Sequence, residues 1–184
     1  MRDLSLHILD LAQNSVRANA TVVHLSLLLN EAGLLTLIIE DDGCGMNAEL
    51  LSRVQSPFAT TRTTRKVGLG IPMMAENCRL TGGDLSIEST MGKGTKLTAT
   101  LDTHSIDCLP LGDLAGTVTT LVTANPDHPE FTLRCVSPTG EMQFDTREIR
   151  AALQGVALNE PEIATWMMES LEEEIEPIFG GVIQ

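Results

Sequence analysis

Residues 34–46, LLTLIIEDDGCGM, join an apolar run to a glycine-rich turn. The run from Leu34 to Glu40 predicts a strand, and residues 41–45 hold too much glycine to form anything but a turn. Gly43 and Gly45 let the backbone approach a flat ligand closely, and a buried Asp41 accepts a hydrogen bond from an amine. Taken alone, the same pattern also fits a plain turn with a solvated Asp41.

A helix and a second strand are predicted on the amino-terminal side of this stretch. Residues 4–19 repeat apolar side chains at helical spacing, and residues 23–29 alternate apolar and polar side chains before the turn at 31–33. Asp10 and Asn14 lie four residues apart and so share one face of the helix. An Asn oxygen suits Mg²⁺, and a neighbouring carboxylate suits a base that holds water. Taken alone, an Asp and an Asn at this spacing are more often ordinary solvent-exposed residues without a function.

A phosphate-binding turn is predicted on the carboxyl-terminal side. Gly68, Leu69 and Gly70 precede a helix over 71–80, and the N–H groups at a helix start bind anions. The loop before it carries three cations: Arg62, Arg65 and Lys66.

Further elements complete the predicted sheet. A short helix is expected over 48–54, and strands are expected over 85–89 and 95–101, joined through the turn at 91–94. The sequence thus predicts at least four strands with helices laid on one face.

Residues 1–102 are predicted to form one domain, and residues 103–184 are predicted to form a small α+β annex to it. Residues 114–122 fit a helix, although their Thr-rich composition equally fits a strand. A hairpin is expected around residues 137–140, and helices over 147–154 and 161–176. No motif assigns a role to this annex.

Charge is divided unevenly along the chain. Residues 1–96 carry nine Lys or Arg and ten Asp or Glu, whereas residues 97–184 carry three and fifteen, so almost all of the net charge of −13 lies in the second part. Such acidity repels a phosphate backbone, so nucleic acid is not an expected partner. The acidic part is interpreted as a solvated surface or, alternatively, as a docking face for a basic protein partner.

Cysteine spacing and hydropathy limit the class of protein. The four cysteines stand far apart without a CxxC pair, which argues against a zinc site and a disulfide framework. No leader is visible, and no apolar run approaches the roughly 20 residues of a membrane span. A soluble, cytoplasmic protein without membrane contact is expected.

The order of these motifs resembles the GHKL superfamily, which covers gyrase-type and mismatch-repair ATPases, sensor histidine kinases and anti-sigma-factor kinases. DLAQNSVRANAT (10–21) is similar to its N-box, EDDGCGM (40–46) to its G1 box and KVGLGIPM (66–73) to its G2 box. The stretch from residue 56 to residue 101 is most similar to the catalytic domain of sensor histidine kinases. The resemblance implies a two-layer α/β sandwich of the Bergerat type that binds ATP and Mg²⁺.

The resemblance also implies roles for individual residues. Asn14 becomes the magnesium ligand, and Asp41 the contact to adenine. The other implied nucleotide contacts are Gly43, Gly45, Met46, Arg62, Lys66, Gly68, Leu69, Gly70 and Thr95. Two positions depart from the family pattern: Asp10 stands where gyrase-type members carry Glu, and Lys66 stands where a glycine is usual.

Three functions follow from the resemblance. A stand-alone kinase catalytic domain that passes the γ-phosphate to a partner protein is favoured, because the chain opens at the N-box helix and none of its four histidines lies in a phospho-acceptor motif. The alternatives are an ATP-dependent regulatory binding module, like an anti-sigma factor, and a slow ATPase with Asp10 as its base.

Overall fold

The computed structural model describes residues 2–55 and 69–180. Within these ranges the helices are Leu4–Arg17 (α1), Ala48–Gln55 (α2), Gly70–Leu80 (α3), Leu114–Ala124 (α4), Thr146–Leu153 (α5) and Pro161–Phe179 (α6). The strands are Val22–Leu29 (β1), Leu34–Asp41 (β2), Leu85–Thr90 (β3), Gly94–Asp102 (β4), Glu130–Ser137 (β5) and Gly140–Asp145 (β6). Among these helices, none is both long and apolar enough to cross a membrane.

The strands form one six-stranded sheet in the order β3-β4-β2-β1-β5-β6. Neighbouring strands are antiparallel except β1 and β5, which are parallel. The predicted hairpin of β1 and β2 is confirmed, with Leu25 opposite Ile39. The mixed α/β architecture agrees with the predicted α+β sandwich.

Alternation along the strands gives the sheet one buried face. In β1, Val23, Leu25, Leu27 and Leu29 are buried, and the residues between them are not. The buried face packs against the apolar stripe of α1 and against α3, α4 and α6, which together enclose an aliphatic core. This packing fixes the carboxyl-terminal half of α1 above the end of β2, where the predicted site lies.

Residues 114–124 are helical. The sequence left open whether this segment is a helix or a strand. The Asp113 side chain caps the helix by accepting a hydrogen bond from Gly116 N at 2.7 Å. The hydroxyl of Thr123 donates to the carbonyl of Thr119 at 2.8 Å, so this threonine is bonded within the helix.

The hairpin predicted near residues 137–140 is present as β5 and β6, and it continues the sheet of the first 102 residues. Leu25 of β1 lies beside Leu133 of β5 in the parallel pair. The sequence did not predict this pairing. The division of the chain into two domains between residues 102 and 103 stays a prediction.

Candidate functional site

Three polar residues form a row across one end of the sheet. Thr95 on β4 lies between Asp41 on β2 and Ser89 on β3, each directly opposite it in its strand pair. Residues that are directly opposite in antiparallel strands put their side chains on the same face. Asp41 is only 8% exposed, so a nearly buried carboxylate stands at one end of this row.

Both oxygens of the Asp41 carboxylate accept hydrogen bonds from nearby groups. Oδ2 accepts from the hydroxyl of Ser15 on α1 at 2.6 Å, and Oδ1 accepts from Gly43 N at 2.9 Å. These bonds fix the plane of the carboxylate. Because each oxygen has a second lone pair, Asp41 remains able to accept from a ligand.

The turn after β2 follows a path that only glycine allows at two places. A Cβ on Gly45, where φ is +63°, would lie 2.1 Å from Thr90 O, and a Cβ on Gly43 would lie 2.8 Å from the Cβ of Ala18. The backbone between them is tied on both sides, because Cys44 N donates to Ala18 O at 2.9 Å and Gly92 N donates to Cys44 O at 2.8 Å. The turn is thus clamped between α1 and the β3–β4 connection.

Ser89 links this turn to the row of polar residues. Its Oγ accepts from Met46 N at 2.8 Å, lies 3.0 Å from Gly94 O and lies 2.9 Å from Thr95 Oγ1. One hydroxyl therefore connects the turn, the start of β4 and the neighbouring hydroxyl.

A cavity of about 280 Å³ opens beside this row. Its size is close to the lower end of small-ligand sites, about 300–1,000 Å³. Most of its wall is apolar, and its polar groups include Asn14, Ser15, Asp41 and Thr95. The rest of the wall comprises Leu11, Arg17, Ala18, Ile39, Cys44, Gly45, Met46, Leu50, Val54, Ile71, Ile87 and Leu97. An apolar slot with a few polar groups at one end suits a flat heteroaromatic ring.

The predicted site residues divide into three groups. Those that line the cavity are Asn14, Asp41, Gly45, Met46 and Thr95. Those that are described but lie outside its lining are Asp10, Gly43, Leu69 and Gly70. Arg62, Lys66 and Gly68 lie outside the described residues.

Asp10 packs against the start of α3. A Cβ on Gly70 would lie 2.1 Å from Asp10 Oδ2, so glycine at position 70 lets the helix start approach this carboxylate. Asp10 therefore stands beside the helix start that the sequence predicts to bind phosphate.

Asn14 offers one neutral oxygen at the wall of the cavity. Its Oδ1 accepts from Arg17 Nη1 at 3.2 Å. Mg²⁺ takes oxygen ligands and is often bound through one or two protein groups, waters and substrate phosphates. Among the described residues no group of three or more His, Cys, Asp or Glu is placed to hold a metal ion. The amide oxygen of Asn14 is a donor of the kind that Mg²⁺ takes, so this residue would fit an ion whose other ligands are phosphate oxygens and waters.

Asp42, the residue after Asp41, has a structural role. Burial raises the pKa of Asp42, but hydrogen bonds from the hydroxyl and N–H of Thr21 and from Val22 N outweigh that effect, so the pKa is lowered. Asp42 thus anchors the turn to the start of β1, and it does not line the cavity.

Sequence reasoning missed two of the polar groups at this site. Ser15 continues the buried series of Leu4, Ile8 and Leu11 along α1, and a polar residue in an apolar series was the available signal. Ser89 gave no signal, because one serine near a strand end is ordinary.

The comparisons with known proteins agree with this geometry. Residues 2–105 match the family described as histidine kinase-, DNA gyrase B- and HSP90-like ATPases. The chain is 31% identical over 114 residues to the sensor kinase CckA of Brucella abortus, covering 54% of this chain and 12% of that protein. It is 32% identical over 73 residues to the histidine protein kinase DivJ of Caulobacter vibrioides, covering 38% of this chain and 12% of that protein. The chain thus spans a small fraction of the length of these relatives.

A solved structure shares the fold over nearly the whole chain. It is described as the N-terminal domain of a DNA repair protein, with a TM-score of 0.51 and 14% sequence identity. The match covers 98% of this chain and 58% of that one, so it includes the strands β5 and β6. At this identity the likeness concerns the fold alone.

Proposed function

Because the chain belongs to the family of histidine kinase-, DNA gyrase B- and HSP90-like ATPases, which supports ATP binding, we propose that it binds Mg·ATP in the cavity and transfers the γ-phosphate to a partner protein. The observation that carries the ATP site is the buried Asp41, held as an acceptor by Ser15 and Gly43 at the polar end of an apolar slot. The names of the relatives as sensor and histidine kinases support the transfer.

Each residue then has a role toward the nucleotide. Asp41 accepts from the 6-amino group of adenine, and Thr95 meets the ring edge next to that group. Asn14 gives its oxygen to Mg²⁺, which when bound offsets the charge of the phosphate oxygens. Gly68, Leu69 and Gly70 would provide N–H groups to the phosphates, and Arg62 and Lys66, which precede them in the sequence, would supply positive charge.

The transfer needs little from the protein except positioning. A nucleophilic atom of the acceptor side chain forms a bond to the γ-phosphorus, the bond from that phosphorus to the bridging oxygen breaks, and ADP leaves. The pocket holds the nucleotide in one orientation so that the acceptor meets the γ-phosphorus in line.

The test is phosphate transfer from γ-labelled Mg·ATP to the proteins of the source cell. We expect label on one or a few proteins with the wild-type chain and none with Asn14→Ala. Gln13→Ala is the matched control, because Gln13 is the preceding residue on α1 and does not line the cavity. If the wild-type chain transfers label to no protein of the source cell, the proposed kinase activity is contradicted.

A slow ATPase is the second candidate, favoured by the contact of Asp10 with Gly70 at the start of α3. In this case Asp10 takes the proton of an attacking water. Asp10→Asn is then expected to abolish phosphate release while ATP still binds. Loss of ATP binding in this variant would refute the role of base.

A further inference from the structure

The hydroxyl of Ser89 has more neighbours than it has hydrogens. Met46 N can only donate to it, and Gly94 O, at 3.0 Å, can only accept. Thr95 Oγ1, at 2.9 Å, can do either. Since a serine hydroxyl has one hydrogen, Ser89 donates to Gly94 O or to Thr95, but not fully to both.

Which of these two acceptors receives the Ser89 hydrogen determines whether Thr95 presents a hydrogen or only lone pairs to the cavity. If Ser89 donates to Gly94 O, Thr95 donates to Ser89 and turns only lone pairs toward a ligand. If Ser89 donates to Thr95, the Thr95 hydrogen is free to bond a ligand acceptor. We propose that Ser89 is a positioning residue that makes Thr95 a hydrogen-bond donor to the nucleobase, and this rests on the proposed ATP site.

The row across the strands supports this assignment. Asp41 and Thr95 are directly opposite each other, and both line the cavity. Adenine carries a donor, the 6-amino group, next to an acceptor, ring nitrogen N1. The ionised Asp41 can only accept, so the neighbouring Thr95 has to donate for the pair to match that edge. Ser89 lies on the far side of Thr95 from Asp41, where its hydroxyl reaches the Thr95 oxygen.

The test compares the affinities for Mg·ATP and for Mg·1-deaza-ATP, in which N1 is replaced by C–H. One neutral hydrogen bond contributes about 0.5–1.5 kcal/mol, so wild type is expected to prefer ATP by roughly 2- to 10-fold. In Ser89→Ala we expect this preference to fall to near 1, because the Thr95 hydroxyl is no longer oriented. Ser89→Thr keeps a hydroxyl and is expected to restore the preference.

The matched control is Ser86→Ala, the same change on the same strand. Ser86 is exposed and outside the cavity lining. It is expected to leave both affinities unchanged. In a Thr95→Val background, Ser89→Ala is expected to change the preference no further, since Ser89 acts through Thr95.

The outcomes separate this proposal from the proposed function. If Ser89→Ala weakens both nucleotides equally and keeps the preference, Ser89 only holds Met46 in place, and the positioning role is wrong. A wild type that binds ATP without preferring it to 1-deaza-ATP also overturns the role of Thr95 as donor. If wild type binds neither nucleotide, the proposed ATP site itself fails.

Discussion

Two adjacent carboxylates at the end of β2 are predicted to differ in function because their partners differ. Asp41 faces the cavity, and Asp42 bonds to Thr21 and Val22 at the start of β1. Asp41→Asn replaces an acceptor by a group that donates, and a hydrogen bond to a charged group contributes about 1.5–3 kcal/mol, so ATP affinity is expected to fall roughly 10- to 100-fold.

Asp42→Asn is the matched control for that change. It is expected to leave the affinity for ATP near wild type, measured by calorimetry, and to lower the urea midpoint of unfolding. Equal losses of affinity in the two variants would show that the turn, and not the Asp41 carboxylate, is what the ligand needs.

The sequence predicts Asn14, Asp41 and Thr95, which line the cavity, but it does not predict the hydroxyls of Ser15 and Ser89. Asp41 and Asn14 stand in motifs that are weak signals when taken singly, and the order of those motifs along the chain is what marks them. Ser15 and Ser89 act through bonds to Asp41 and Thr95 that form only when α1 and three strands come together. Periodicity reports which face a residue is on, and it does not report which hydroxyl completes a network.

At the scale of elements, the turn between β2 and α2 depends on its contact with the β3–β4 hairpin. Gly45 and Gly92 both have positive φ, but only a Cβ on Gly45 would meet backbone, at 2.1 Å from Thr90 O. Gly92→Ala is expected to lower the free energy of unfolding by about 1–2 kcal/mol, the cost of a left-handed residue. Gly45→Ala is expected to lower it further and to weaken ATP binding.

Urea denaturation and nucleotide titration of the two variants measure this difference. Similar stabilities of Gly45→Ala and Gly92→Ala would mean that the turn relaxes away from β3 at little cost. The clamp on the turn would then be weaker than its hydrogen bonds indicate.

The pair of helices α1 and α3 is joined by a buried histidine. His7 Nε2 lies 2.8 Å from Asn77 Nδ2, an amide nitrogen that can only donate, so Nε2 accepts and the ring is neutral. Its Nδ1 has no hydrogen-bond partner among the described residues. Burial lowers the pKa of His7, although Asp3 and Asp10 oppose that effect.

This lowered pKa predicts a loss of stability in mild acid. Below about pH 6.5, the ordinary histidine value, the unfolded chain binds a proton that folded His7 does not, so unfolding becomes easier as the pH falls toward the folded pKa. The urea midpoint is expected to drop between pH 7.5 and pH 5.5, and to drop less in His7→Gln. An unchanged pH dependence in His7→Gln would contradict the assignment.

Most of the elements could be predicted from the sequence, because apolar spacing and glycine turns are local signals. The state of residues 114–124 could not be, since threonine favours strands while the Asp113 cap and the core beneath Val118 favour a helix. The parallel pair of β1 and β5 joins residues more than a hundred positions apart, such as Val23 and Phe131. No local pattern specifies such a partner.

For the whole molecule, this pairing links the half of the sheet that borders the cavity to the acidic half. β1 lies between β2 and β5, and α1 packs against both α3 and α4. Core residues from both halves, Leu27 and Cys135 among them, lie side by side in the same sheet. Removal of β5 would leave β1 as an unpaired edge strand, which is costly for a buried strand.

We therefore expect the described parts of the chain, residues 2–55 and 69–180, to unfold in one cooperative transition. The chain has a single tryptophan, Trp166 on α6, whose fluorescence reports on the acidic part alone. Hydrogen exchange of the amides of β2 and β4 reports on the part that borders the cavity. In urea the two transitions are expected to coincide, and Phe131→Leu, at a residue 1% exposed on β5, is expected to shift both by the same amount. A tryptophan transition at lower urea, with β2 and β4 still protected, would instead support two domains that meet between residues 102 and 103.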